Sequence, residues 1–173
     1  MFRPTRIIPF LLLLAVFPLI PSPTPAQQPR GPSTPEERAR ALQAAKLLRI
    51  DPLSAATTEE REWLIKWLIQ VPDISVKLCP SLLGDLGDSK AGNPGAIISS
   101  MMASQAAFVI EHPDKVKNRE ALYFAGADGA LQSYQAIRQQ DPSYHIPHLD
   151  QLILQRDQGK LTDYVHSATK KCK

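Results

Sequence analysis

Prolines divide most of the chain into pieces of helical length. After the proline-rich N-terminal part, Pro52, Pro72, Pro94, Pro113 and Pro142 leave intervals with room for a helix and its connecting turn, and Pro80 and Pro147 lie within two of these intervals. Proline lacks a main-chain N–H and pushes the preceding residue out of the helical region, so helices are expected to end or begin near each one. Between the prolines, apolar residues recur with helical spacing, and no two segments read as paired strands. The sequence therefore predicts an all-α fold, a compact bundle of five to seven short helices.

The N-terminal segment, positions 1–26, predicts a cleaved export signal. Two arginines, Arg3 and Arg6, precede an apolar run from Ile7 to Ile20. This run is shorter than the roughly 20 residues that a bilayer crossing needs. Thr24 and Ala26 place small side chains at the positions that a signal peptidase reads. We expect export to the periplasm or the extracellular medium, with no stable membrane span in the mature chain.

A proline-rich linker is predicted between the signal and the helices. Six prolines lie from Pro21 to Pro35, among Ser, Thr, Gln and Gly. Such a composition favours an extended, solvated chain. We therefore assign residues 27–34 to a disordered linker and residues 35–173 to a single helical domain.

Capping patterns predict where individual helices begin. Thr34, with Pro35 and Glu37 behind it, has the form of a capping box with proline at the first helical position. Thr57 is followed three positions later by an acid and is the predicted start of the second helix. Asp114 is the predicted cap of the segment that follows Pro113.

The charge distribution argues against a nucleic-acid partner. Removing positions 1–26 would remove two arginines and no acid, which lowers the formal net charge from +3 to +1. Binding to phosphates depends on clustered Lys and Arg, because the release of counterions supplies most of the affinity. The one basic run is Lys170, Lys171 and Lys173 at the end of the chain.

Cys79 and Cys172 are the only cysteines. In an exported chain an even pair favours an internal disulfide, because oxidising compartments preserve such bonds. Two free thiols or an intermolecular bridge are the alternatives. There is no C-x-x-C pattern, so a redox-catalytic dithiol is not expected.

The stretch from Ala121 to Pro142 contains a local resemblance to a repeat. Ala130, Tyr134, Ile137 and Pro142 are spaced in a way that resembles the second helix of a tetratricopeptide repeat. An alanine that the pattern places at position 137 stands instead at Ala136. No second copy of the pattern lies one repeat length away, whereas stable arrays need at least three repeats. A tetratricopeptide-like adaptor therefore remains only an alternative.

The same stretch has small residues at helical spacing. Gly126, Gly129 and Ser133 would share one face of a continuous helix and would allow a second helix to approach closely. Glycine costs about 1 kcal/mol relative to alanine inside a helix, so its presence needs a reason. We predict a tight seam between two helices. The alternative is a break near Ala125–Asp128, with Asp128 as the next cap.

One segment has the residue types of a metal site. His145 and His148 lie close to Asp150, and imidazole and carboxylate groups are zinc ligands when they converge on one ion. Pro147 predicts a turn here, in which histidines are usually solvated, so the site residues are candidates only and no metal is expected.

No nucleophile motif and no phosphate-binding loop is present, although Gly84–Gly95 has four glycines and predicts a mobile loop.

Two pairs of side chains are candidates for a binding surface. Trp63 and Trp67 lie one helical turn apart, and Met101 and Met102 fall in a strongly apolar helix. The helical pattern favours core positions for all four. If they were exposed instead, they would form a surface for a protein or a peptide.

These observations favour an exported, non-enzymatic helical protein that binds a partner protein or peptide, with no cofactor. The first alternative is a metal-dependent enzyme of the hydrolase type that uses His145 and His148. The second is the tetratricopeptide-like adaptor.

Overall fold

The structure is a computed structural model that describes residues 30–84, 86, 93–170 and 172. The predicted signal peptide and most of the Gly84–Gly95 loop lie outside the described residues. Within them there is no strand, and the all-α prediction is confirmed. The six helices are α1 (Pro35–Ile50), α2 (Ala55–Gln70), α3 (Pro94–Glu111), α4 (Arg119–Gln140), α5 (Pro147–Asp157) and α6 (Leu161–Thr169). None of them is long and apolar enough to cross a membrane.

The predicted start of α1 is confirmed. The Thr34 hydroxyl accepts a hydrogen bond from the Glu37 N–H at 3.2 Å, and the Glu37 carboxylate accepts one from the Thr34 N–H at 3.0 Å. The bond from the Thr34 main chain is the main reason that the pKa of Glu37 lies below its usual value. The helix ends at Ile50, before Asp51 and Pro52, as the pattern predicts.

The predicted start of α2 at Thr57 is wrong. The helix begins at Ala55, and the Ser54 hydroxyl caps it by accepting a hydrogen bond from the Thr57 N–H at 3.2 Å. The Thr57 side chain is fully buried, and its hydroxyl accepts a hydrogen bond from Ser54 at 2.9 Å. Thr57 therefore supports the cap from inside the first turn.

The predicted cap at Asp114 is also wrong. Asp114 lies in a short 3-10 helix, Pro113–Lys115, and α4 begins only at Arg119. Its cap is Asn118, whose side-chain oxygen accepts a hydrogen bond from the Ala121 N–H at 3.1 Å.

The end of the predicted linker is attached to the helical domain. Ser33 is buried, and its N–H and hydroxyl donate to the two carboxylate oxygens of Asp73 at 2.8 and 2.7 Å. Arg38 donates to the same carboxylate at 2.8 Å. Burial opposes ionisation of Asp73, but these hydrogen bonds outweigh it and lower its pKa. Asp73 thus fixes the chain just before α1.

Helices α3 and α4 form the centre of the fold and contribute to two hydrophobic clusters. On one side, alanines of α1 meet alanines of α3, together with Leu64 and Trp67 of α2. On the other side, α3 and α4 pack against α5, α6 and the residues around Cys79. The alanine contacts allow α1 to lie close to α3, because their side chains take little space.

The small-residue seam is confirmed at the contact between α3 and α4. A Cβ atom added at Gly129 would collide with the side chain of Ser104, and one added at Gly126 would lie 2.7 Å from the Gln105 amide nitrogen. The Ser100 hydroxyl also donates to the Gly129 carbonyl at 2.9 Å. The two glycines therefore provide the space that this crossing needs.

Helix α4 runs without a break, so the alternative of a cap at Asp128 is wrong. A tetratricopeptide arrangement would require a turn just before Ala130. Since Ala130 lies well inside the continuous helix α4, the local resemblance does not extend to the helical hairpin of such a repeat.

Cys79 and Cys172 form an internal disulfide, with their Cα atoms 5.6 Å apart. The bond joins the segment after α2 to the residues that follow α6. Cys79 is buried, and the Cys172 carbonyl accepts a hydrogen bond from the Arg119 guanidinium at 3.0 Å. Cys172 is thereby fixed to the centre of the fold.

Candidate functional site

A cleft of about 590 Å³ opens beside the seam between α3 and α4. We call it the α3–α4 cleft. Its apolar walls are formed by the side chains Ala107, Phe108, Ala121, Phe124 and Ala125, and its polar lining includes Arg49, Ser104, Glu111, Asn118, Glu120, Asp128 and Thr162. Arg49 belongs to the end of α1 and Thr162 to the start of α6, so four helices contribute to its lining.

The spacing of residues along the two central helices explains how the cleft forms. Ser104 is followed by Ala107, Phe108 and Glu111 at three, four and seven positions, so these side chains lie on one face of α3. The same spacing places Ala121, Phe124, Ala125 and Asp128 on one face of α4. Alanine side chains leave open space that larger residues would fill. Small side chains on both helices thus contribute to the open space of the cleft.

Two phenylalanines expose apolar surface in the cleft. Phe124 keeps 36% of its surface exposed, and Phe108 is half-buried with its ring tilted against His112 at a centroid distance of 5.0 Å. Aromatic rings that line a concave surface lose unfavourable contact with water when a partner covers them. A concave surface that combines apolar walls with polar groups is a usual form of a binding site.

The rim of the cleft carries charges of both signs. Glu120 is paired with His166 at 3.2 Å, and Asp128 with Arg156 at 3.9 Å. Arg49 and Glu111 form no ion pair with any residue that the structure describes. Arg49 is therefore available to an acidic group of a ligand, and Glu111 is available to a basic group.

Ser104 lies where the cleft meets the seam. It is 5% exposed, and its hydroxyl has no hydrogen-bond partner among the described residues. A buried hydroxyl without a partner is destabilising by about 1–3 kcal/mol.

The candidate metal residues are used in separate structural contacts. Asp150 accepts hydrogen bonds from Tyr134 at 2.7 Å and Arg138 at 2.9 Å, and its other oxygen lies 3.2 Å from His145 Nδ1. The Tyr134 hydroxyl accepts in turn from the Ile146 N–H at 2.8 Å. This network fastens the turn before α5 to α4.

His148 faces a different partner. Its Nε2 lies 3.0 Å from the Tyr164 hydroxyl of α6, which also donates to the Leu82 carbonyl at 3.0 Å. In the part of the chain that the structure describes, no three His, Cys, Asp or Glu side chains are arranged to hold a metal ion. No observation favours the hydrolase alternative.

The tryptophan pair is already engaged in contacts within the protein. Trp63 and Trp67 stack with ring centroids 5.6 Å apart and an interplanar angle of 15°, and the Arg40 guanidinium lies 4.2 Å from the Trp63 ring. Trp67 is buried, whereas Trp63 is half-buried. A cation above an aromatic face is itself a favourable contact. The pair therefore packs α2 against α1 and offers little free ring surface.

Of the two methionines, Met101 is buried in the core and Met102 is half-buried. Met101 lies against Gly126 in the seam, where a Cβ added to the glycine would be 3.0 Å from Met101 Cγ. Neither methionine lines the α3–α4 cleft.

The cleft residues are absent from the sequence-based candidates. The available signals were Ser104 in an otherwise apolar helix and Phe124 followed four positions later by Asp128. Neither reveals a cleft, because a cleft depends on how far apart two helices pack.

Comparison with known proteins adds no identification. No family model, curated protein or solved structure matches the chain.

Proposed function

We propose that this protein, after export, binds a segment of a partner protein through the α3–α4 cleft and has no catalytic role of its own. The observation that carries the proposal is the concave apolar surface around Phe108 and Phe124. Its volume, about 590 Å³, falls in the range typical of ligand sites and suits a few side chains of a peptide.

The charges of the rim define the partner further. Arg49 and Glu111 suit a segment that carries both an acid and a base beside its apolar anchors. Such a pattern is typical of an amphipathic helix bound in a groove. The expected partner is therefore a protein segment and not a small uncharged molecule.

The proposal can be tested by crosslinking. A photoreactive amino acid in place of Phe124 should capture a defined partner from the native envelope or culture medium. The same group in place of Ile69, which is 79% exposed on α2, serves as the control. Equal capture from both positions would contradict a site in the cleft.

A matched pair of substitutions tests the geometry. Ala125→Leu would fill the cleft and should abolish capture, since Ala125 lines it and is half-buried. Ala39→Leu adds the same side chain at an exposed position of α1 and should leave capture unchanged. If Ala125→Leu folds normally and still captures the partner, the cleft is not the binding site.

A further inference from the structure

A second concave surface has different chemistry. It lies between the segment that follows α2 and the connection from α3 to α4, and has a volume of about 430 Å³. Its apolar floor is formed by Val109, Val116 and Leu122, and we call it the basic groove because Lys77, Lys117 and Arg119 line it. It shares no lining residue with the α3–α4 cleft.

The three cations of the groove are not neutralised by any acid among the described residues. None of them forms an ion pair with a residue that the structure describes. Arg119 donates to a main-chain carbonyl, that of Cys172, which carries no net charge. Like charges held around one cavity repel one another, so an anionic ligand would relieve this repulsion as well as form contacts.

One acid lines the groove, but its charge is already compensated. The Asp73 carboxylate accepts three hydrogen bonds, two from Ser33 and one from Arg38, and the last is an ion pair at 2.8 Å. The groove therefore keeps an excess of positive charge, from three cationic side chains, beside an apolar floor.

The apolar floor distinguishes among anionic ligands. Val116 is 43% exposed, whereas Val109 and Leu122 are buried. A ligand that carries an apolar side chain between its acids would cover Val116, and the removal of this apolar surface from water would favour binding. The phosphates of a nucleic acid offer no such group.

We propose that the basic groove binds an acidic segment of a protein, in which carboxylates contact Lys77, Lys117 and Arg119 and an apolar side chain packs on Val116. This second site goes beyond the function proposed for the α3–α4 cleft, since it lies on another surface and selects an acidic ligand.

The experiment uses a fluorescent peptide that alternates glutamate and leucine, with a lysine–leucine peptide of the same length as the control. The full disulfide-bonded protein should bind the acidic peptide alone, with affinity that falls as salt increases. The double variant Lys77→Glu/Lys117→Glu should weaken binding by about tenfold or more.

A control variant separates the groove from general charge effects. Lys46→Glu/Lys66→Glu makes the same change in net charge at exposed lysines on α1 and α2 and should retain binding. Equal loss in both double variants would overturn the proposal. It would also be overturned if phosphatidylglycerol vesicles or a single-stranded oligonucleotide displaced the peptide from the groove at comparable charge concentration. Ala125→Leu should leave peptide binding intact, so the two sites can fail independently.

Discussion

The side-chain amide of Gln105 forms two hydrogen bonds with the main chain of Lys77. Its oxygen accepts from the Lys77 N–H at 2.6 Å, and its nitrogen donates to the Lys77 carbonyl at 2.9 Å. Gln105 is fully buried in α3, and Gly126 of α4 leaves the space that it occupies. The Gln105 side chain thus provides the two main-chain hydrogen bonds that a neighbouring strand would give to an extended segment.

We predict that Gln105→Leu lowers the free energy of unfolding by about 2–3 kcal/mol, because leucine leaves two main-chain groups of Lys77 without partners. Urea unfolding measures this change. Hydrogen exchange at the Lys77 amide should also accelerate. Gln139→Ala, at an exposed position of α4, provides the control and should change stability by less than about 0.5 kcal/mol. An unchanged exchange rate at Lys77 would show that the segment is held by other contacts.

Gly129→Ala should destabilise the protein by about 1–3 kcal/mol, although alanine favours helices, because the added methyl group forces α3 and α4 apart. Gly95→Ala is the matched control. Nothing lies within 4 Å of a Cβ atom added there, so a change near zero or a small gain is expected. Thermal unfolding of both variants measures the difference. Adding Ser104→Gly to Gly129→Ala should recover part of the loss, and strict additivity would argue against contact between the two positions.

Reduction of the disulfide should lower the free energy of unfolding by up to about 4–5 kcal/mol, because the bond closes a loop across 93 positions. Denaturant unfolding with and without a reductant measures this effect, with the Cys79→Ser/Cys172→Ser variant as a check. The intact mass of the unreduced protein should be two protons below that of the reduced one. Identical masses would rule out the bond.

Burial raises the pKa of Tyr134 to about 12, and its hydrogen bond to Asp150 acts in the same direction. In the unfolded chain the pKa is about 10. The associated stability is therefore fully present below pH about 10 and is lost as pH rises towards 12. Burial also raises the pKa of Tyr144 and Tyr164, so absorbance titration should show more than one late tyrosine component. Tyr134→Phe should remove the component at about pH 12, and Tyr164→Phe should retain it. If the component at about pH 12 survives in Tyr134→Phe, another tyrosine is responsible.

Features that depend on neighbours in sequence were predictable. The start of α1 follows from Thr34, Pro35 and Glu37, because the capping hydrogen bonds and the proline ring all lie within the first turn of the helix. The seam was also predictable, because two glycines inside a helix pattern are unfavourable unless another helix packs closely against them. The predicted start of α2 is wrong because Ser54 and Thr57 both have side chains that can cap a helix. Burial of Thr57, a tertiary effect, decides between them.

The two proposed binding surfaces depend on distances between helices, which the sequence does not state. The α3–α4 cleft brings Phe108 of α3 together with Phe124 of α4 and with residues of α1 and α6. The basic groove joins Lys77 to Arg119 across residues that are far apart in sequence, and Gln105 fixes the position of Lys77. The two histidines show that closeness in sequence does not place side chains in one site. His145 and His148 are close in sequence, yet they contact Asp150 and Tyr164 respectively.

The disulfide also determines how the protein would respond to mechanical load. If the chain were pulled by its two ends, force would pass from α1 and α2 directly through Cys79 to Cys172. The residues between them, about 330 Å of extended chain, would stay outside the load path while the bond is intact. The basic groove's Lys117 and Arg119 and the two central helices lie inside this protected length. A protein built in this way can lose its first two helices under tension and keep α3 and α4 within a closed covalent loop.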